Sequence, residues 1–138
     1  MSNVAAPAEP TIVRQVFPHW SITIPATFAE TFVHEDGYWH AWDDRRSVSL
    51  TSVVIADQRK RPVPSRRILE QCPAGPGSRV VMPDGLNGWA VNVALEEPGR
   101  ASRAISGLIA IDEGVLIATV TADDLAWATG VWRSIRRS

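Results

Sequence analysis

Residues 115–137 read VLIATVTADDLAWATGVWRSIRR, and the change of period inside this stretch decides the fold. As far as Thr121 the chain is apolar at positions of both parities, which suits a strand covered on both sides. Beyond Asp123 and Asp124 the period lengthens. Leu125, Ala128, Trp132 and Ile135 fall on one helical stripe, with Trp127 and Val131 beside it. A strand running straight into an amphipathic segment predicts a terminal helix lying flat on a sheet. The two aspartates place negative charge at the positive helix end, and Thr121 with Asp124 resembles a capping box. Arg133, Arg136 and Arg137 supply the opposite charge at the other end. Gly130 is expected to let the helix approach the sheet closely, at a cost of about 1 kcal/mol relative to alanine.

Upstream, the pattern from Val80 onward is a meander. Val80 to Met82, Gly88 to Glu96, Ser102 to Ile111 and Val115 to Thr121 read as strands, separated by the turn signals Asp84-Gly85, Pro98-Gly99 and Glu113-Gly114. Trp89, Val91, Val93 and Leu95 share one face of their strand. Ile105, Leu108, Ile109 and Ile111 are apolar on both faces, so a second covering layer is expected. Pro73 to Ser78 reads as a loop. Asp57 to Arg67, rich in charge and proline, leads into a short helix that Ser65 is placed to cap and Pro73 to end.

Nearer the N-terminus, Trp20 to Ile24 alternates apolar and polar before Pro25, as a half-buried strand does. Asp36-Gly37 supplies the positive φ angles of a tight turn, so Thr27 to His34 and Tyr38 to Asp43 should pair antiparallel. Val48 to Ala56 follows as the next strand. Residues 1–10 are small, polar or proline and read as a disordered tail, leaving 11–138 as one domain. The expected class is α+β: an antiparallel meander sheet of about six or seven strands with the C-terminal helix packed on it.

Composition bounds the function classes. A chain of 138 residues should bury roughly 70% of the surface that its unfolded form exposes. Its 45% apolar and 21% charged residues suit a globular core. Fourteen basic against fifteen acidic residues leave no global field to attract nucleic acid or an anionic membrane surface, so neither is expected as a partner. One cysteine, Cys72, excludes an intrachain disulfide and a CxxC knuckle. With no signal-like N-terminus and no long apolar run, the expected location is the cytoplasm.

The early strand WSITIPATF at residues 20–28, the meander, the apolar penultimate strand Val115 to Thr121 and the closing segment WRSIR at residues 132–136 together resemble the PsbP/DcrB-like superfamily. The resemblance spans most of Phe17 to Arg137 and implies an α/β/α sandwich, which would supply the second layer. Members of that superfamily are mostly binding proteins: photosystem accessory subunits, small-GTPase binding factors, lipoproteins and type VI secretion effector chaperones. No shared catalytic set carries over to this chain, which also lacks the lipid-anchor cysteine of exported members.

Several side-chain groups invite a functional reading. His34, Glu35, Asp36, His40, Asp43 and Asp44 are the densest set of possible metal ligands. A two-residue turn at Asp36-Gly37 pairs His34 with Trp39 and His40 with Val33, which separates the imidazoles onto opposite faces, whereas a three-residue loop would reverse this; the ordinary polar hairpin is expected, and no metal site. Arg59, Lys60, Arg61, Arg66 and Arg67 form a basic run that suits an acidic partner better than nucleic acid, since no aromatic is interleaved for base stacking. Pro62 and Pro64 are expected to keep the run extended. Trp39 and Trp42, three apart on one strand, must point to opposite faces, and an open sheet side would expose one of them.

Gly75, Gly77 and Ser78 precede a strand, not a helix, so they read as a turn and not as a phosphate loop. Ser106-Gly107 lacks a nucleophile elbow, and Cys72 reads as a small buried residue. These features favour a non-catalytic protein-binding or adaptor module, with Tyr38, Trp39, His40, Trp42, Arg59, Lys60 and Arg61 as its contact residues, no cofactor and a possible homodimer. The alternatives are a small-molecule binder or hydrolytic enzyme with a pocket between sheet and helix, using His40 or His34 as acid/base group, and a type VI secretion-associated effector chaperone.

Overall fold

Ten strands and two helices make up the described part of the chain in a computed structural model, which covers residues 9–33, 35, 37–61, 63–72, 77–97, 100–112 and 114–137. Of residues 95–97, 100 and 101 only the backbone is described. The strands fall into two antiparallel sheets. The smaller holds β1 (Thr11–Val16), β2 (Trp20–Pro25) and β10 (Arg136–Arg137), in the order β1-β2-β10. The larger holds β3 (Ala29–Val33), β4 (Tyr38–Trp42), β5 (Ser47–Val54), β6 (Ser78–Val81), β7 (Asn87–Glu97), β8 (Arg100–Ile111) and β9 (Gly114–Ala122), in the order β3-β4-β5-β9-β8-β7-β6. The fold is α+β, with the helix α2 (Leu125–Arg133) packed on the sheet.

The large sheet is two hairpin runs joined at β5 and β9. After β5 the chain passes through α1 (Ser65–Glu70) to the far edge, then returns strand by strand until β9 pairs with β5 over Ser47 to Val54. One face of this sheet, the inner face, carries the main core. Trp39, Val48, Leu50, Ile105, Ile109, Leu116 and Val120 are buried there with Ala128, Val131 and Trp132 of α2 and Ile22 and Ile24 of β2. The row Ala90, Gly107, Ala118 crosses β7, β8 and β9 with almost no side-chain volume. Over it sits the fully buried Trp132, whose indole N–H donates to the Ala118 carbonyl at 3.1 Å. Gly107 is obligatory for that row, because a Cβ there would lie 1.9 Å from the Trp89 carbonyl oxygen.

Several local expectations are corrected. The Trp20 strand belongs to the small sheet, because Arg136 and Arg137 pair with Ser21 and Trp20 and close the chain against its own beginning. Helix α2 therefore stops at Arg133, and Arg136 caps it by donating to the carbonyls of Arg133 and Ile135. Its N-cap is Asp124 alone, accepting from the amides of Ala126 and Trp127, while Thr121 lies in β9. Gly130 is exposed and a Cβ there would meet nothing, so it serves no close approach.

Ser65 does not cap α1. Pro64 occupies the N-cap without a side-chain bond, and the Ser65 amide donates instead to the Asp112 carboxylate at 3.0 Å. The helix ends at Glu70, three residues before Pro73, which lies outside the described residues. Of residues 1–10, Glu9 pairs with Arg46, and the Pro10 carbonyl accepts from the Ala26 amide. The remainder of that segment lies outside the described residues.

Candidate functional site: the outer face of the large sheet

The register of the large sheet sorts its side chains into two sets. Opposite the core face lie Ala29, Thr31 and Val33 of β3, Tyr38, His40 and Trp42 of β4, and Ser47, Ser49, Thr51 and Val53 of β5. The same face continues with Val115, Ile117, Thr119 and Thr121 of β9 and Ala104, Ser106, Leu108 and Ala110 of β8. None of these residues is Asp, Glu, Lys or Arg. Charged side chains make up 21% of the sequence, so this stretch of the face, ending at Ala104 on β8 short of Arg100, departs sharply from its average.

Helix α1 covers one end of this face, where Ile68 and Leu69 pack on Ala110 and Val115. The two-sided apolar pattern of β8 and β9 is thus half explained. Leu108, Ala110 and Val115 lie under or beside α1, while Ile117 remains 42% exposed and Val53 37%. Beyond α1 the face is open.

Three rings line β4 along the open part. His40 and Trp42 stack with centroids 4.8 Å apart, and Tyr38 lies 6.2 Å from His40 on the other side. All three are half-buried. Position i, i+2, i+4 on one strand is what brings them into line. Trp39, of opposite parity, points into the core at 3% exposure, and its indole donates to Glu30 at 3.2 Å. Trp39 is thereby separated from the other aromatic residues expected at a contact surface. Further across the sheet, the Ser106 and Thr119 hydroxyls are 2.8 Å apart across β8 and β9.

The hairpin register differs from expectation. Val33 pairs with Tyr38 and Thr31 with His40, so the connection spans four residues instead of two. The longer loop shifts the register by two, which leaves the facing of every β4 side chain unchanged. His34 and Asp36 lie outside the described residues. Among the described residues, no group of three or more His, Cys, Asp or Glu could hold a metal ion.

The basic run is also placed differently. Residues 57–61 turn back on themselves, with the Asp57 amide donating to the Arg61 carbonyl and Lys60 at φ 61°. The Asp57 carboxylate organises this turn, accepting from the amides of Arg59 and Arg61 and from the Arg61 guanidinium at 3.0 Å. Those bonds, the Arg61 amide first, hold its carboxyl below the usual carboxylate range. An extended run is thus replaced by a compact cationic loop at the α1 end of the outer face, with Arg59, Lys60 and Arg61 exposed. Burial pushes the Cys72 thiol up, and Arg79 offsets this only in part.

The hydroxyl rows on β5, β8 and β9 escaped notice as part of a surface in the sequence. Ser47, Ser49 and Thr51 alternate with Val48 and Leu50, so their outward facing is readable. Their union with Thr119, Thr121 and Ser106 depends on the pairing of β5 with β9, which no local pattern announces.

No protein-family model matches the chain, and no curated protein matches it. A crystal structure from Bacteroides thetaiotaomicron VPI-5482 is similar, with a TM-score of 0.60 over 86% of this chain at 11% identity. The chain spans 45% of that protein, and at such identity the likeness shows the fold alone. No helix among the described residues is long and apolar enough to cross a membrane.

Proposed function

We propose that this chain is a non-catalytic binding module that docks a protein partner on the uncharged outer face of its large sheet, with Trp42, His40 and Tyr38 at the centre. The observation carrying this reading is the absence of charge from the outer-face positions of β3, β4, β5 and β9 and from Ala104 to Ala110 of β8, on a face that α1 covers at one end only. Interface cores are depleted of charge and enriched in aromatic residues, and the stacked row on β4 fits that composition. The resemblance to the PsbP/DcrB-like superfamily, whose members are mostly binding proteins, supports the same reading, and a type VI effector chaperone is one form it could take. His40 stands between Thr31 and Ser49 on the neighbouring strands, with no carboxylate paired beside it among the described residues to orient it as a base, which favours binding over hydrolysis.

Affinity purification with the native chain, Trp42→Ala and His40→Ala tests the proposal. Loss of the same partner in both variants, at unchanged melting temperature, is the expected result. An unchanged partner list in both would refute it. Light scattering decides whether the partner is a second copy: the native mass doubles and the Trp42→Ala mass does not.

A further inference from the structure

At the α1 end of the outer face, the structure holds a groove of about 460 Å³ between α1, the 55–61 turn, Val63 and strands β7 and β8. Its walls are Ile55, Val63, Ile68, Leu108 and the half-buried Trp89. That volume lies inside the range of roughly 300–1,000 Å³ typical of small-molecule sites, and the apolar lining is typical too. The groove lies apart from the aromatic row of β4, which contributes nothing to its walls.

What gives the groove a preference is its mouth. Arg67 and Asp57 both border it. The Asp57 carboxylate is consumed by the turn, taking two backbone amides and the Arg61 guanidinium. The Arg67 side chain is exposed and forms no ion pair among the described residues, and the adjoining loop adds Arg59 and Lys60. One committed carboxylate among these cations leaves the mouth with an excess of positive charge over an apolar floor. We propose that this groove binds a small amphipathic carboxylate, a medium-chain fatty acid or an arylalkanoate, with the chain against Leu108 and Trp89 and the carboxylate at Arg67.

The test uses decanoate and decyltrimethylammonium, two ligands of one chain length and opposite charge, each below the concentration at which it self-associates. Calorimetric titration of the native chain should show saturable one-to-one binding of decanoate and at least tenfold weaker binding of the cation. Arg67→Gln should weaken decanoate about fivefold, the upper end for a solvent-exposed ion pair, and leave the cation no weaker. A diazirine-bearing decanoate should label the native chain within residues 55–72 or at Leu108, which locates the site without any variant. Absent or non-saturable binding overturns the proposal, as does equal affinity for the two charges, or labelling confined to other segments. Trp42→Ala should leave decanoate binding intact, so failure of this site and failure of the docking face are separable.

Discussion

Replacing Arg46 by methionine should remove about 2 kcal/mol of stability, although the residue sits in a surface turn between β4 and β5. Its guanidinium reaches Asp43 at 2.7 Å and, bidentately, Glu9 at 2.6 and 2.8 Å. It also lies 4.5 Å from the Trp127 ring centroid and 5.3 Å from that of Phe28. The Arg46 side chain is 14% exposed, Asp43 21% and Glu9 39%, so the Asp43 pair is worth about 1 kcal/mol and the more exposed Glu9 pair about 0.5. Methionine keeps the aliphatic packing but loses the cation over two rings, a further loss of about 0.5–1 kcal/mol. For a chain of this size the sum lowers the melting temperature by about 6 °C.

The acid limb of the same melt supplies an independent check. The bonds from Arg46 hold Glu9 below its ordinary value of 4.5. Burial works against the charged form of Asp43, but bonds from the Arg46 side chain and the amides of Arg45 and Arg46 outweigh it, so its carboxyl also stays below 3.8. Depressed carboxylates contribute stability that is full above their unfolded values and is lost as the pH falls through the folded ones. The native chain should therefore lose more stability than Arg46→Met between about pH 5 and pH 2, and the gap between the two curves should shrink toward the roughly 0.5–1 kcal/mol of the cation–ring contacts, which do not titrate. A variant melting within about 1 °C of the native chain, or parallel acid limbs, would refute the assignment.

Three further outcomes follow from single contacts. Asp124→Ala removes the side chain that caps α2 and should cost about 1 kcal/mol, read from the urea midpoint, with Asp123→Ala near neutral as its control. Gly107→Ala forces a Cβ to within 1.9 Å of the Trp89 carbonyl and 2.7 Å of the Ala90 Cα, both backbone atoms. It should cost about 3 kcal/mol or more, and a native-like midpoint would refute the tight pairing of β7 and β8. Cys72, its thiol raised by burial and donating to the Ile68 carbonyl, should alkylate with iodoacetamide at neutral pH more slowly than glutathione, and an equal or faster rate would refute the burial.

The sequence made the elements legible wherever a period persisted, and lost them where partners were remote. The alternation of Trp20 to Ile24 yields a strand and the stripe through Ala128 and Trp132 yields the terminal helix, because each pattern is local and long enough to bury a face. The final arginines were read into the helix since nothing in RSIRR marks a strand. Only the exposed edge of β2, more than a hundred residues earlier, gives Arg136 and Arg137 a partner. Similarly, Asp57 following the β5 strand looked like the start of an extended, proline-held run. Its carboxylate instead gathers the amides of Arg59 and Arg61 and bends the run into a loop. Of the residues read as contacts, Tyr38, His40 and Trp42 share a face by parity alone, whereas Trp39 goes to the core by the same rule.

Parity explains why the outer face exists, but not why it should be a binding face. An antiparallel sheet commonly turns one side to water, and that side normally carries charge, which keeps sheets from adhering to one another. Here the positions that would hold Lys or Glu hold Ser, Thr, aliphatic side chains and aromatic rings, so the usual deterrent is missing from β3, β4, β5 and β9 and from Ala104 to Ala110 of β8. Covering such a surface would be costly if its hydroxyls depended on water, since each stranded polar group loses about 1–3 kcal/mol. The Ser106 and Thr119 hydroxyls bond to each other across neighbouring strands at 2.8 Å and would keep that bond under a partner. That pair, satisfied within the sheet, can be covered at little desolvation penalty, and the half-buried rings beside it offer apolar area to a partner.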